Sequence, residues 1–259
     1  MHNRRSVRIR VADLETTGLS PPEAPCEVAY CDLVAIQTDL AGHPTSWRVI
    51  GGQGYLCDPG RSIPPETSAV HHIIDEDVAG LPGWLEIFDH VFGDSNCGAV
   101  AYAAHSAAFE KQWITDAHTD GKPFICTYKC ALRLWPDAPS HSNMGLRYWR
   151  KPDGLDRAVA DRAHRAYPDA YVTAFLLRDM LEIASLEQLV QWSAEPALLA
   201  KIPFGALRGQ PWSEADEGLL RWILNKDFSE DIHFTARAEL AKRRTDSDDF
   251  DPFDDEDAA

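Results

Sequence analysis

The chain has 259 residues, 44% of them hydrophobic, and carries 25 basic against 41 acidic side chains for a formal charge of −16. That composition suits a soluble globular protein with one sizeable core or a core plus a small appendage, and no apolar run reaches the roughly 20 residues of a membrane span. Six cysteines without a Cys-x-x-Cys pair argue against a zinc ribbon or disulfide scaffold and fit reduced thiols in the cytoplasm.

In chain order, Met1-His-Asn-Arg-Arg5 is basic but runs straight into a strand, so no signal peptide is expected. Val7, Ile9 and Val11 alternate with polar residues, which predicts a half-buried strand. Cys26–Gln37 and Trp47–Cys57 alternate too and predict an antiparallel meander with it. Pro64-Pro65-Glu66 starts a helix expected through Ala69, and an amphipathic one is expected over Gly83–Phe92. Val100–Ala103 reads as a short strand, followed by a helix opening at His105 and running through Trp113 and Ile114. Pro123–Cys126 is a further strand, with Thr127 capping a helix over Tyr128–Trp135. Helices are expected over His141–Arg150, Asp156–Arg165 and Ala170–Ile183, the last with Val172, Phe175, Leu176, Met180 and Ile183 on one face.

The strand around Val11 continues into Ala-Asp-Leu-Glu-Thr-Thr-Gly-Leu19. Side chains two apart in a strand share a face, so Asp13 and Glu15 project together beside Val11. An Asp-x-Glu strand end is by itself commonly just solvated. Paired, half-buried carboxylates become favourable when a hard divalent cation lies between them. Two later acids keep them company: Glu110, after the short strand, and Asp169, at the mouth of the last helix, where the helix dipole favours its charge. His164 precedes Asp169 by five residues in the connecting turn.

The stretches DLETTGL, HSAAFE and HRAYPDA, in this order, resemble the three motifs of the DEDD superfamily of exonucleases, in its histidine-bearing, DnaQ-like branch. SAVHHI, ICTYKCALRLWP, the SNM at 142–144 and IPFGALRGQPWSEADEGLLRWILN at 202–225 are similar to the exodeoxyribonuclease X group within it. The resemblance implies an α/β, RNase H-like fold, a mixed central sheet flanked by helices. It also implies metal-dependent 3′→5′ removal of nucleoside 5′-monophosphates with two Mg²⁺ or Mn²⁺ ions. Asp13 would serve both ions, Glu15 and Asp169 the first, Glu110 the second, and His164 would be general base on the attacking water. Leu14, Thr16, Thr17, Gly18, Leu19, His71, Ile73, His105 and Phe109 would surround the terminal nucleotide.

Two positions depart from the pattern. Glu110 stands where the family has Asp, which places second-ion occupancy in question and favours Mn²⁺. His72 replaces a glycine after His71. The expected partner is nucleic acid with a single-stranded or frayed 3′ end, DNA favoured over RNA; a nucleic-acid-binding accessory protein with little hydrolysis is the alternative.

The expected divisions are a nuclease domain over 1–184, an α-rich accessory module over 185–245 and an acidic disordered tail over 246–259. Ser185-Leu-Glu-Gln188 suggests a capping box, with short helices through Trp192 and over Glu195–Lys201. Arg208, Trp212, Arg221 and Trp222 form a candidate strand-binding surface, with Trp222 weighed as core. The tail holds eight acids and no base, leaving −8 for residues 1–245. It is read first as solubilising, with docking of Phe250 and Phe253 to a protein partner as the alternative; relatives with this fold also pair or join a polymerase.

Overall fold

The computed structural model describes residues 7–93 and 98–248. Cys97 and residues 249–259 of the expected tail lie outside them. Five strands, β1 (Arg8–Thr16), β2 (Pro25–Thr38), β3 (Pro44–Leu56), β4 (Ala101–Ala104) and β5 (Phe124–Cys126), make one mixed sheet in the order β3-β2-β1-β4-β5. β1 and β3 run antiparallel to β2, while β4 and β5 lie parallel to β1. β1 is therefore central, and both its faces are covered where alternation alone predicts one. Arg10 is tolerated inside because Asp32, its partner in register on β2, takes Nε and Nη2 at 2.8 Å each. Its guanidinium also lies 3.9 Å from the Tyr30 ring centre, so a charge that would be costly alone is paired and stacked.

The helices in chain order are α1 (Pro65–His71), α2 (Asp75–Val78), α3 (Trp84–Phe92), α4 (Asp116–Thr119), α5 (Thr127–Leu134) and α6 (Asn143–Arg150). Then follow α7 (Arg157–Ala160), α8 (Ala166–Leu181), α9 (Leu186–Ala194), α10 (Glu217–Leu224) and α11 (Glu230–Asp248). α3 buries Ile87, Phe88, Val91 and Phe92 against Ala12, Leu14, Val28 and Tyr102 on one face of the sheet. α8 lies on the other face, across β1, β2 and β3. It comes down closely at Gly54, where a Cβ would stand 3.0 Å from that of Tyr167.

Several expected elements are corrected. No α-helix opens at His105: the chain turns there, with Ser106 at φ 148°, and only Glu110–Gln112 forms a 3₁₀ turn. Thr127 does not cap from outside but lies within the first turn of α5, its hydroxyl facing Ala104 O and His105. The helix expected over Asp156–Arg165 shrinks to α7, which Asp156 caps by accepting the Ala158 amide at 2.8 Å. α8 starts four residues earlier than expected and is buried nearly all round, because the sheet and α5, α6 and α7 surround it; Ile183, expected on its apolar face, is 57% exposed beyond its end. Glu195–Lys201 is not helical, whereas α11 was not foreseen, and it takes in residues 246–248 of the expected tail.

The chain divides into two compact units, 1–134 with 138–194, and 135–137 with 195–259. α9 thus falls in the first unit rather than beginning the second at 185. It packs on β5 and α5, and its Ser193 Oγ accepts the Cys126 amide at 2.8 Å. The second unit has its own core, Ile202, Trp212, Ala215, Leu220, Ile223, Ala236 and Leu240. Trp212 is buried there and Trp222 is 48% exposed, the reverse of the expectation for Trp222. Cys26, Cys31, Cys57, Cys126 and Cys130 are buried free thiols. No helix among the described residues is long and apolar enough to cross a membrane.

Candidate active site

Ile9, Val11, Asp13 and Glu15 share the α8 face of β1, and the two carboxylates come last, where the pairing with β2 shifts register between Glu15 and Thr16. Such irregularities re-aim side chains at strand ends. α8 supplies the third acid: its helical residues start at Ala166, which puts Asp169 in the first turn. One oxygen from each of Asp13, Glu15 and Asp169 lies within 4.8 Å of the others. Glu110 stands outside this trio, close enough for its charge to act on Asp13 and Glu15. It is 5% exposed, and its Oε2 is buried without a hydrogen-bond partner.

All four carboxyls are held above the usual carboxylate range. Burial is the main cause for Asp13, followed by the charges of Asp169, Glu15, Glu110 and Glu27. Burial and then Asp169 push Glu15 up to about 8. Burial pushes Glu110 up to about 8. Asp169 rises less, to about 6, because burial is opposed by the backbone amide and the charge of His164. A cluster whose ionised forms disfavour one another, with an unpartnered carboxylate oxygen in it, fits hard divalent cations by the chemistry of its donors.

His164 is exposed and adopts a left-handed backbone, φ 59°, which points its amide at Asp169 Oδ2, 2.8 Å away. Two residues not foreseen fix the start of α8. Glu27, paired in register with Glu15, is buried and accepts Arg165 Nε and Nη2 at 2.9 Å each and the Ala166 amide at 3.1 Å. Asn143 donates through Nδ2 to Asp169 O at 3.0 Å. Glu27 had a signal in the period of β2, since it sits on the Glu15 face, but the register that makes them neighbours cannot be read from either strand alone.

The expected nucleotide-lining set is only partly exposed. Leu19 is 83% exposed and Phe109 half-buried against Trp113, so both present surface. Thr16 and Thr17 are buried and shape the turn: Thr16 Oγ1 donates to Gly18 O at 2.6 Å, and Thr17 Oγ1 donates to Glu23 and accepts the Ala24 amide. Four more of these side chains are engaged within the fold. Leu14 points away from Asp13 into the α3 core. Ile73 is buried with Cys26, Ile63 and Val78. His71 is buried, its Nδ1 accepting the Ile73 amide at 3.1 Å while its ring also bonds the Thr16 backbone. His105 is engaged at both nitrogens. Burial holds it neutral, down to about 4, so Nε2–H donates to His141 O at 2.8 Å and Nδ1 accepts the Thr127 hydroxyl at 3.0 Å.

A mixed sheet of this order, bearing acids at the end of its central strand and at the start of the helix crossing it, defines an RNase H-like nuclease domain. No family model matches the chain. It is 32% identical over 228 residues to exodeoxyribonuclease 10 of Escherichia coli K12, covering 84% of this chain and 90% of that one. It is 28% identical over 179 residues to the DNA polymerase III subunit epsilon of Treponema pallidum, covering 65% and 74%. A solved structure of exonuclease X in complex with 5′ overhanging duplex DNA superposes with a TM-score of 0.54 at 29% identity, over 72% of this chain and 99% of that one. The chain belongs to the exodeoxyribonuclease X family of DnaQ-like DEDD exonucleases, and its activity is 3′→5′ exonucleolytic.

Proposed function

We propose that the protein trims 3′ ends of DNA, single-stranded or frayed, to nucleoside 5′-monophosphates, using two divalent ions with Mn²⁺ favoured over Mg²⁺. The convergence of Asp13, Glu15 and Asp169 within 4.8 Å, with the orphaned Glu110 oxygen beside them, carries this reading. Asp13, Glu15 and Asp169 would hold one ion, and Asp13 and Glu110 the second. Bound there, the ions supply positive charge to the phosphodiester oxygens and acidify the attacking water. His164, exposed at the rim, accepts that water's proton, a task suited to an imidazole at neutral pH. Leu19 and Phe109 lie against the terminal sugar and base, contacts that tolerate any base. DNA is favoured because the exonuclease X neighbour at 29% identity is bound to it.

Incubating a 5′-labelled single strand with Mn²⁺, Mg²⁺ or EDTA tests this. Stepwise shortening that EDTA stops, faster in Mn²⁺, is expected. Binding without shortening in either ion points instead to an accessory protein, and equal shortening of an RNA strand removes the sugar preference. The second unit is proposed as an accessory module; Arg208, Arg221 and Trp222 are its exposed candidates for strand contact, while buried Trp212 is structural.

A further inference from the structure

A strand that ends at the acid cluster must leave it toward its own 5′ side, and the surface around four carboxyls repels a polyanion. Residues 143–165 run against the charge of the chain, with six bases (Arg147, Arg150, Lys151, Arg157, Arg162, Arg165) to three acids. The acids do not cancel this patch evenly. Asp161 is shared by Arg147 and Arg157, and Asp156 is engaged as the cap of α7. Lys151 and Arg162 are exposed without an ion pair among the described residues, and the Arg157 side chain is 80% exposed.

These cations line two adjoining clefts in the first unit. One, of about 390 Å³, includes Glu27, Arg162, Arg165 and Tyr167, so it begins beside the pair that fixes α8. The other, of about 380 Å³, is lined by Arg147, Tyr148, Lys151, Pro152, Leu155 and Arg157. α7 is their common wall, giving Arg157 to one and Ala158 and Val159 to the other. Tyr148 is 60% exposed, and the Arg147 guanidinium lies 4.8 Å from its ring centre. A volume of this size accommodates a nucleoside, and an exposed aromatic ring among cations suits base stacking with phosphate contact.

We propose that Arg162, Arg157 and Lys151 form a track for the backbone of the nucleotides upstream of the scissile bond, ending at Tyr148, on which an upstream base stacks. This rests on the exonuclease reading, and the test separates the two. Lys151→Glu/Arg162→Glu and Tyr148→Ala alter exposed side chains, and Lys151→Gln/Arg162→Gln serves as a milder control. Two substrates are compared: the p-nitrophenyl ester of thymidine 5′-monophosphate, too short to leave the acids, and an oligothymidylate of about 20 nucleotides. Turnover of the ester is expected to stay within about twofold, while KM for the oligonucleotide rises about tenfold in the double Glu variant and less in the Gln one. Anisotropy of the same labelled oligonucleotide in Ca²⁺ should show the salt slope of binding reduced by about 1.4 in the double variants, since each phosphate contact on a single strand contributes roughly 0.7. Tyr148→Ala should weaken binding about tenfold with the slope unchanged. Unchanged oligonucleotide KM and slope, or equal losses on both substrates, overturn the track. If the parent protein hydrolyses neither substrate, the exonuclease reading fails, and the salt slopes still decide whether the track binds.

Discussion

Because the Glu110 carboxyl is buried with one oxygen lacking a partner, its ionised form depends on what binds across the cluster. Mg²⁺ demands near-ideal octahedral geometry, and a carboxylate one methylene longer than aspartate meets it poorly. Glu110→Asp is therefore expected to raise the Mg²⁺ rate several-fold and narrow the Mn²⁺/Mg²⁺ ratio, and Glu110→Gln to lower both rates by about 100-fold or more; an unchanged ratio in the Asp variant would sink this account. At Asp13 the trade is between folding and chemistry, since burial and four neighbouring acids all disfavour its charge. Asp13→Asn should abolish hydrolysis while raising the melting temperature of the metal-free protein by about 3–6 °C, about one to two kcal/mol, and calorimetry in EDTA checks it. Asp13, Glu15 and Asp169 were legible in the sequence because strand period and a helix start dictate where they point. Leu14 lies between two of these acids in the chain, and His71 and Ile73 belong to a segment similar to the family's; only packing reveals that all three face the interior.

At the scale of elements, the first turn of α8 is set by Glu27, which grips Arg165 and the Ala166 amide at once. Releasing this grip leaves a buried carboxylate and frees the turn that carries Asp169. Arg165→Ala is expected to weaken Mn²⁺ binding about tenfold by titration calorimetry and to lower kcat more than it changes KM. Arg165→Lys should recover part of the metal affinity, since it restores charge without the two-pronged geometry. A fall in thermal stability with metal affinity intact would assign the pair to folding alone. β1, β2 and β3 were readable from alternation, β4 and β5 as short apolar runs, and α8 from the helical spacing of its apolar residues. The expected helix at His105 was not realised, because the chain turns sharply through Ser106 to bring Glu110 back beneath β1. α11 escaped notice because its buried apolar residues are only Ala236 and Leu240, with Ile232 partly buried, in a charged segment.

For the molecule as a whole, the acids tie folding to pH and to cations. Unfolded carboxyls titrate near ~4, whereas Asp169 titrates at about 6 and Glu15 and Glu110 at about 8 in the fold. The stability these groups contribute is present below the unfolded value and is lost as pH rises through 6 to 8. Melting of the metal-free protein should thus fall from pH 5.5 to 8.5, and saturating Mn²⁺ should raise it more at the upper end, because cations compete with protons for the same oxygens. A metal-induced shift of equal size at both pH values would contradict this. The thiols behave in the opposite sense to a reactive site. Burial pushes Cys31, Cys57 and Cys130 up to about 12 and Cys26 higher still, so none of them offers a thiolate at neutral pH. With Cys97 changed to serine, a cysteine installed at exposed Leu19 could be tagged by a maleimide dye while the five buried thiols, Cys126 among them, stay dark, turning the rim of the cleft into an optical reporter of each arriving strand end.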